Sequence, residues 1–156
     1  MSASHPHRPA GALLASVVAL AAFAPTVLAD SATVTRGDFA PYVGNTSLSI
    51  TGRAQMVRTA DGKTIVSVHL EGLLGNTPYG AHVHAAACAT GFADGHYKFD
   101  PAGPASPPNE IWPGFTTNDA GVGNGNATVD ATAGPGAVSV VVHAPGGTKI
   151  ACADLG

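Results

Sequence analysis

Between Leu48 and Leu73 apolar and polar side chains alternate along the chain, and the alternation breaks once, at Ala60-Asp61-Gly62. Successive side chains of a strand point to opposite faces, so Leu48–Arg58 and Lys63–Leu73 can each cover a core on one side and meet water on the other. An Asp-Gly turn between two such runs reads as a β-hairpin. The same reading predicts strands at Tyr79–Ala86, Asn126–Ala131, Gly136–His143 and Lys149–Asp154, in a region rich in Gly, Pro, Asn, Thr and Val and without a long helical period. The expected fold is all-β: a Greek-key sandwich or barrel of about eight short antiparallel strands. Ala87–Phe115 interrupts this pattern, and a loop so long in a compact domain is usually functional.

The N-terminus is of another kind. Arg8 precedes an apolar run from Ala10 to Ala24, and the segment closes on Val27-Leu28-Ala29. Small residues at the last and third-last positions suit signal peptidase, so residues 1–29 are expected to be a signal peptide and residues 30–156 a single exported domain, periplasmic or extracellular. The run is too short for a stable span, and no cysteine near the cleavage point could carry a lipid, so no membrane anchor is expected. The 127 residues from Asp30 hold six basic and ten acidic side chains, a net charge of −4 with histidine neutral. That balance argues against nucleic acid, whose phosphates need a basic face. Oligomeric state is not legible. Cys88 and Cys152, far apart in an exported chain, read as a disulfide.

Four of the five histidines beyond the leader cluster around the long loop: His82 and His84 on a predicted strand, His96 within the loop and His143 at the end of a later strand. Residues two apart on a strand share a face, so His82 and His84 can reach one ion. Imidazole suits copper or zinc, and three or four nitrogens in a near-planar array favour Cu(II). A His-x-His pair also opens a zinc-hydrolase pattern, but Ala85-Ala86-Ala87-Cys88 supplies neither the Asp nor the His that would continue it. The competing assignment is a pair of solvated strand histidines.

These residues carry a resemblance. Gly80-Ala81-His82-Val83-His84, then Cys88, then Gly95-His96-Tyr97-Lys98-Phe99-Asp100-Pro101, is similar to the copper-loop sequence of the copper/zinc superoxide dismutases. Val140-Val141-Val142-His143-Ala144 resembles that family's last copper-ligand strand, and Ile150-Ala151-Cys152 its C-terminal cysteine segment. The resemblance spans about Gly80 to Leu155. It implies that His82, His84, His96 and His143 bind one copper per chain, with His96 at the position that bridges the two metals in two-metal members, and that Cys88 pairs with Cys152. The implied reaction is disproportionation of superoxide, a small anion, to dioxygen and hydrogen peroxide.

The chain departs from the two-metal pattern twice. From Tyr97 to Val142 there is no histidine, so the second metal's ligands are missing and zinc is not expected. Asn109–Phe115 stands in their place, and Glu110 is the candidate carboxylate for the outer nitrogen of His96. After His143 only Ala144–Thr148 precede Lys149, where two-metal members carry a long charged loop. Both departures resemble the copper-only subset. Lys149 holds the place of the family's arginine beside copper, keeping the charge but not the planar fork. The alternatives are an exported copper-binding protein without catalysis, for storage or delivery, and a β-sandwich with no metal.

Overall fold

A computed structural model, which describes Met1, residues 31–42 and residues 48–156, is nearly all β. Its strands are β1 (Thr33–Asp38), β2 (Ala40–Pro41), β3 (Thr51–Arg58), β4 (Thr64–Glu71), β5 (Pro78–His84), β6 (Phe115–Thr116), β7 (Gly123–Val129), β8 (Ser139–His143) and β9 (Lys149–Asp154), with one 3-10 turn at Gly91–Ala93. The expected leader over residues 1–29 lies, Met1 apart, outside the described residues. No helix among the described residues is long and apolar enough to cross a membrane.

Two antiparallel sheets form the sandwich, one ordered β1-β3-β4-β7 and the other β2-β9-β8-β5-β6. The expected hairpin is β3 paired with β4, from Thr51 opposite Glu71 to Arg58 opposite Thr64. Period-two patterning sets its faces: on β4 Val66, Val68 and Leu70 are buried while Ile65, Ser67 and His69 face outward. Ala54 and Met56 of β3 enter the core from the neighbouring strand. The second sheet answers with Tyr79, Ala81 and Val83 of β5, Val140 and Val142 of β8, and Ile150, Ala151 and Ala153 of β9. Each fully buried Val or Ile contributes roughly 1.5–3 kcal/mol relative to exposure, so this shared layer is the main source of cohesion. Buried Phe39, between β1 and β2, marks where the chain passes from one sheet to the other.

Several strand ends differ from the sequence expectation: β3 begins at Thr51 rather than Leu48, and β5 ends at His84 rather than Ala86. β7 begins at Gly123, three residues before the predicted start, because Gly123 and Gly125 hide the alternation. A Cβ at Gly123 would lie 2.2 Å from the Phe115 ring, and one at Gly125 would lie 2.0 Å from the Pro113 carbonyl, so these places are kept bare for packing. β8 starts at Ser139 rather than Gly136. β1, β2 and β6 had no counterpart in the sequence reading, since β1 is an exposed edge strand with little apolar content and the other two are two residues long.

A candidate metal centre on the outer face of the second sheet

Alternation along β5 decides where the first two histidines go. Tyr79, Ala81 and Val83 point into the core, so Gly80, His82 and His84 project to the opposite face. On β8 the inward residues are Val140 and Val142, which leaves Val141 and His143 on that same outer face. The pairing of the two strands sets Gly80 opposite His143 and His82 opposite Val141. Gly80 leaves room there: a Cβ would sit 3.6 Å from the His82 ring and 3.7 Å from the His143 Cβ. The rings of His82 and His143 meet over it, with centroids 4.7 Å apart.

The long loop brings the third element. Its backbone is pinned to the end of β5, with the Ala85 N–H donating to the Gly95 carbonyl at 3.0 Å and the Tyr97 N–H to the Val83 carbonyl at 2.8 Å. His96 is thereby set opposite His84. Further on, the Val83 N–H donates to the Ile111 carbonyl at 3.1 Å, which draws the Glu110-Ile111-Trp112 segment to the same strand.

The four imidazoles surround a common centre. Ring centroids are 4.1 Å apart for His82 and His96, 4.9 Å for His96 and His84, and 5.7 Å for His84 and His143. The separations across the centre are the longest, 6.4 Å for His82 with His84 and 6.1 Å for His96 with His143. One nitrogen from each ring lies within 4.8 Å of the others. Two imidazole nitrogens on opposite sides of one ion would be about 4 Å apart, given metal–nitrogen bonds near 2 Å. Three buried nitrogens in this cluster, His82 Nδ1, His84 Nε2 and His143 Nε2, have no hydrogen-bond partner. Buried polar atoms are rarely left in that condition, and a cation held by their lone pairs would satisfy all three.

Backbone and side-chain acceptors select the tautomers. His84 Nδ1 lies 3.3 Å from the Ala93 carbonyl and 3.2 Å from that of Asp94. His143 Nδ1 is 3.0 Å from the Gly147 carbonyl. Each Nδ1–H donates to its carbonyl, leaving the Nε2 lone pair free. The Gly147 carbonyl is aimed by the turn between β8 and β9, in which Gly146 and Gly147 both have φ +91°, a conformation side chains resist. His96 Nδ1–H donates to Glu110 Oε2 at 2.6 Å. Glu110 is 1% exposed, and the same Oε2 accepts the Trp112 Nε1–H at 2.7 Å.

Burial favours the neutral form of His82, His84 and His143. It lowers the His82 pKa to about 3, with smaller contributions from the neighbouring histidines. The His84 pKa falls to about 4, mainly by burial and then through the Lys149 charge. His143 is lowered as well, again chiefly by burial. Neutral imidazoles are the form that ligates a metal. Lys149, whose own pKa burial lowers, donates from Nζ to the Asp94 carbonyl at 2.9 Å beside this cluster.

Cys88 and Cys152 form a disulfide with Cα atoms 5.8 Å apart. It ties the start of the loop to β9, where Tyr42, Ala93, Val141 and Cys152 make a small apolar cluster on the outer face. A disulfide is compatible with an oxidising, exported compartment. His69 stands apart from the cluster, exposed on β4, with Nδ1 2.9 Å from Asn124 Oδ1 and Nε2 3.3 Å from Glu71 Oε1.

No protein-family model and no curated protein matches this chain. Every residue singled out from the sequence for the metal site, His82, His84, His96, His143, Lys149 and Glu110, falls within this one region. Trp112 was missed as a functional candidate. Its ring centroid is 5.1 Å from that of His82 and 6.5 Å from that of His96. The one available signal was its position two residues after Glu110 in an extended segment, a spacing that lets two side chains meet.

Proposed function

We propose that this chain is an exported copper superoxide dismutase with a single metal site, resembling the copper-only members of that family and acting in the periplasm or outside the cell. The observation that carries the reading is the convergence of four histidines in which three buried nitrogens lack partners while the outer nitrogen of His96 is already engaged by Glu110. Imidazole suits copper, zinc, iron and nickel, and the choice of copper follows the resemblance carried by Gly80–His84, Gly95–Pro101 and Val140–Ala144. The engagement of His96 Nδ1 favours one ion over two, since a bridging imidazole needs that nitrogen for the second.

The overall reaction takes two superoxide anions and two protons to dioxygen and hydrogen peroxide. When bound, copper supplies the one-electron couple for both halves. The chain's own residues do the rest. His82 would ligate through Nδ1, and His84, His96 and His143 through Nε2. The Glu110 carboxylate holds the proton on His96 Nδ1 and fixes the ring's orientation, as carboxylates do behind metal-bound histidines. Lys149 sets a positive charge beside His84 and His143, where it raises the local concentration of a small anion.

The deciding experiment measures metal content by mass spectrometry and dismutation on the same oxidised, purified protein. One copper per chain without stoichiometric zinc, together with catalysed dismutation, is expected. Equal copper and zinc would overturn the single-site reading. One tightly held copper with no dismutation would instead establish a copper storage or delivery protein.

A further inference from the structure

The geometry points to Trp112 as a positioning residue for the metal site: its indole N–H holds the buried Glu110 carboxylate in the place from which that carboxylate orients His96. The inference rests on the copper reading above. Its basis is the convergence of two donors on one oxygen. Glu110 Oε2 accepts His96 Nδ1–H at 2.6 Å and Trp112 Nε1–H at 2.7 Å, and Glu110 is almost fully buried. A buried carboxylate needs its donors, and each charge-assisted bond also narrows its orientation. With His96 alone, the carboxylate could rotate about its side-chain torsions and carry the imidazole with it. With Trp112 as the second donor, the oxygen is fixed between two rings, one held by the His84–His96 pairing and the other packed against His82.

The indole does this from the rim of the site. Trp112 is 39% exposed, so its ring borders solvent while its N–H is directed inward to Glu110. Its ring lies against His82 and His96, whereas the charge of Lys149 acts on His84 and His143. Trp112 thus walls one edge of the four-histidine ring and leaves the opposite edge to the cation.

Two measurements test this, and neither depends on turnover. The chain has a single tryptophan, so the metal-free protein gives one indole N–H resonance. That resonance should be protected from hydrogen exchange, and Glu110→Gln should shift it and speed its exchange. In the copper-loaded protein, Trp112→Phe keeps a ring but removes the donor. It should weaken Cu(II) affinity by roughly 3- to 10-fold, at or below the range for losing a partner directly behind a ligand, and alter the Cu(II) electron paramagnetic resonance hyperfine splitting. An indole resonance indifferent to Glu110→Gln would overturn the assignment, as would a Trp112→Phe protein with wild-type affinity and spectrum. Should Trp112→Phe fail to fold, the indole measurement decides alone. A wild-type protein that binds no copper but passes the indole test would sink the copper reading and leave the hydrogen-bond clamp standing.

Discussion

Lys149 and His84 hydrogen-bond to the same carbonyl oxygen, that of Asp94, Lys149 through Nζ at 2.9 Å and His84 through Nδ1 at 3.2 Å. One backbone group therefore anchors both a proposed metal ligand and the cation proposed to attract substrate. Asp94 follows Ala93, and both have positive φ, 52° and 62°. The loop is bent in a way few side chains favour, and the bend presents that carbonyl to both donors.

If Lys149 guides an anion, reversing its charge should slow dismutation while copper stays bound. Lys149→Glu is expected to lower the rate about tenfold at low salt, and Lys149→Arg to preserve or raise it, since the guanidinium keeps the charge and adds donors. The wild-type rate should fall as salt rises, because exposed charges are screened over about 8–10 Å near physiological ionic strength. Rates measured from 10 to 500 mM salt that are identical for wild type and Lys149→Glu would remove Lys149 from the mechanism.

His143 and His69 make a matched pair. His143 closes the ring of imidazoles from β8, and His143→Ala should cost on the order of 100-fold in activity and copper affinity. His69 lies on the outer face of the other sheet, and His69→Ala should stay within about twofold of wild type, as surface substitutions usually do. Copper titrations and rates on both variants check this. Comparable losses would show that the cluster is not the site.

Metal-free protein should lose stability as pH falls below the ordinary histidine range. His82, His84 and His143 have folded-state pKa values depressed below 6.5, the first two to about 3 and about 4. As pH drops through 6.5 the unfolded chain takes up protons on these residues and the folded chain does not. Stability present above pH 6.5 is therefore lost progressively toward pH 3–4. Between pH 6.5 and 5, above the usual carboxylate titrations, chelator-treated protein should lose about 5 °C or more in Tm. A flat Tm over that interval would mean the imidazoles are readily protonated in the fold.

Reducing the disulfide should loosen the loop and the site together. Cys88 and Cys152 are 64 residues apart, so the cross-link contributes about 4 kcal/mol in the chain-entropy picture. The Cys88 N–H also donates to Asp154 Oδ1 at 2.7 Å, which joins loop and β9 a second time. Reduced protein is expected to melt lower and to bind copper more weakly. Unchanged copper affinity after complete reduction would show that the backbone pairing around His96 suffices to hold the loop.

Where side chains alternate, the sequence was readable. The β3–β4 hairpin, β5 and β9 were expected within a few residues, because Val66, Val68 and Leu70 or Tyr79, Ala81 and Val83 announce their face by spacing. The His82 and His84 pair followed from the same rule. β7 was blurred because its packing positions are Gly123 and Gly125, where the missing side chain is the signal. β1 was silent because an exposed edge strand needs no apolar stripe. The meeting of His96, Glu110 and Trp112 depends on loop backbone hydrogen bonds to Val83 and Ala85, which no periodicity encodes. The role expected for Glu110 came from the need of His96 for a carboxylate behind its outer nitrogen, a rule that is silent on Trp112.

β5 bears two independent programmes on its two faces. Odd-numbered Tyr79, Ala81 and Val83 belong to the interior, and even-numbered His82 and His84 to the four-histidine cluster that could hold a metal. The strand's cohesion with the sandwich is therefore separable from its chemistry, and the ligand positions can be rewritten without opening a void between the two sheets. Such an arrangement lets the histidines change while the same domain persists. It also offers an engineer a rigid sheet on which other three- or four-ligand sites can be laid out.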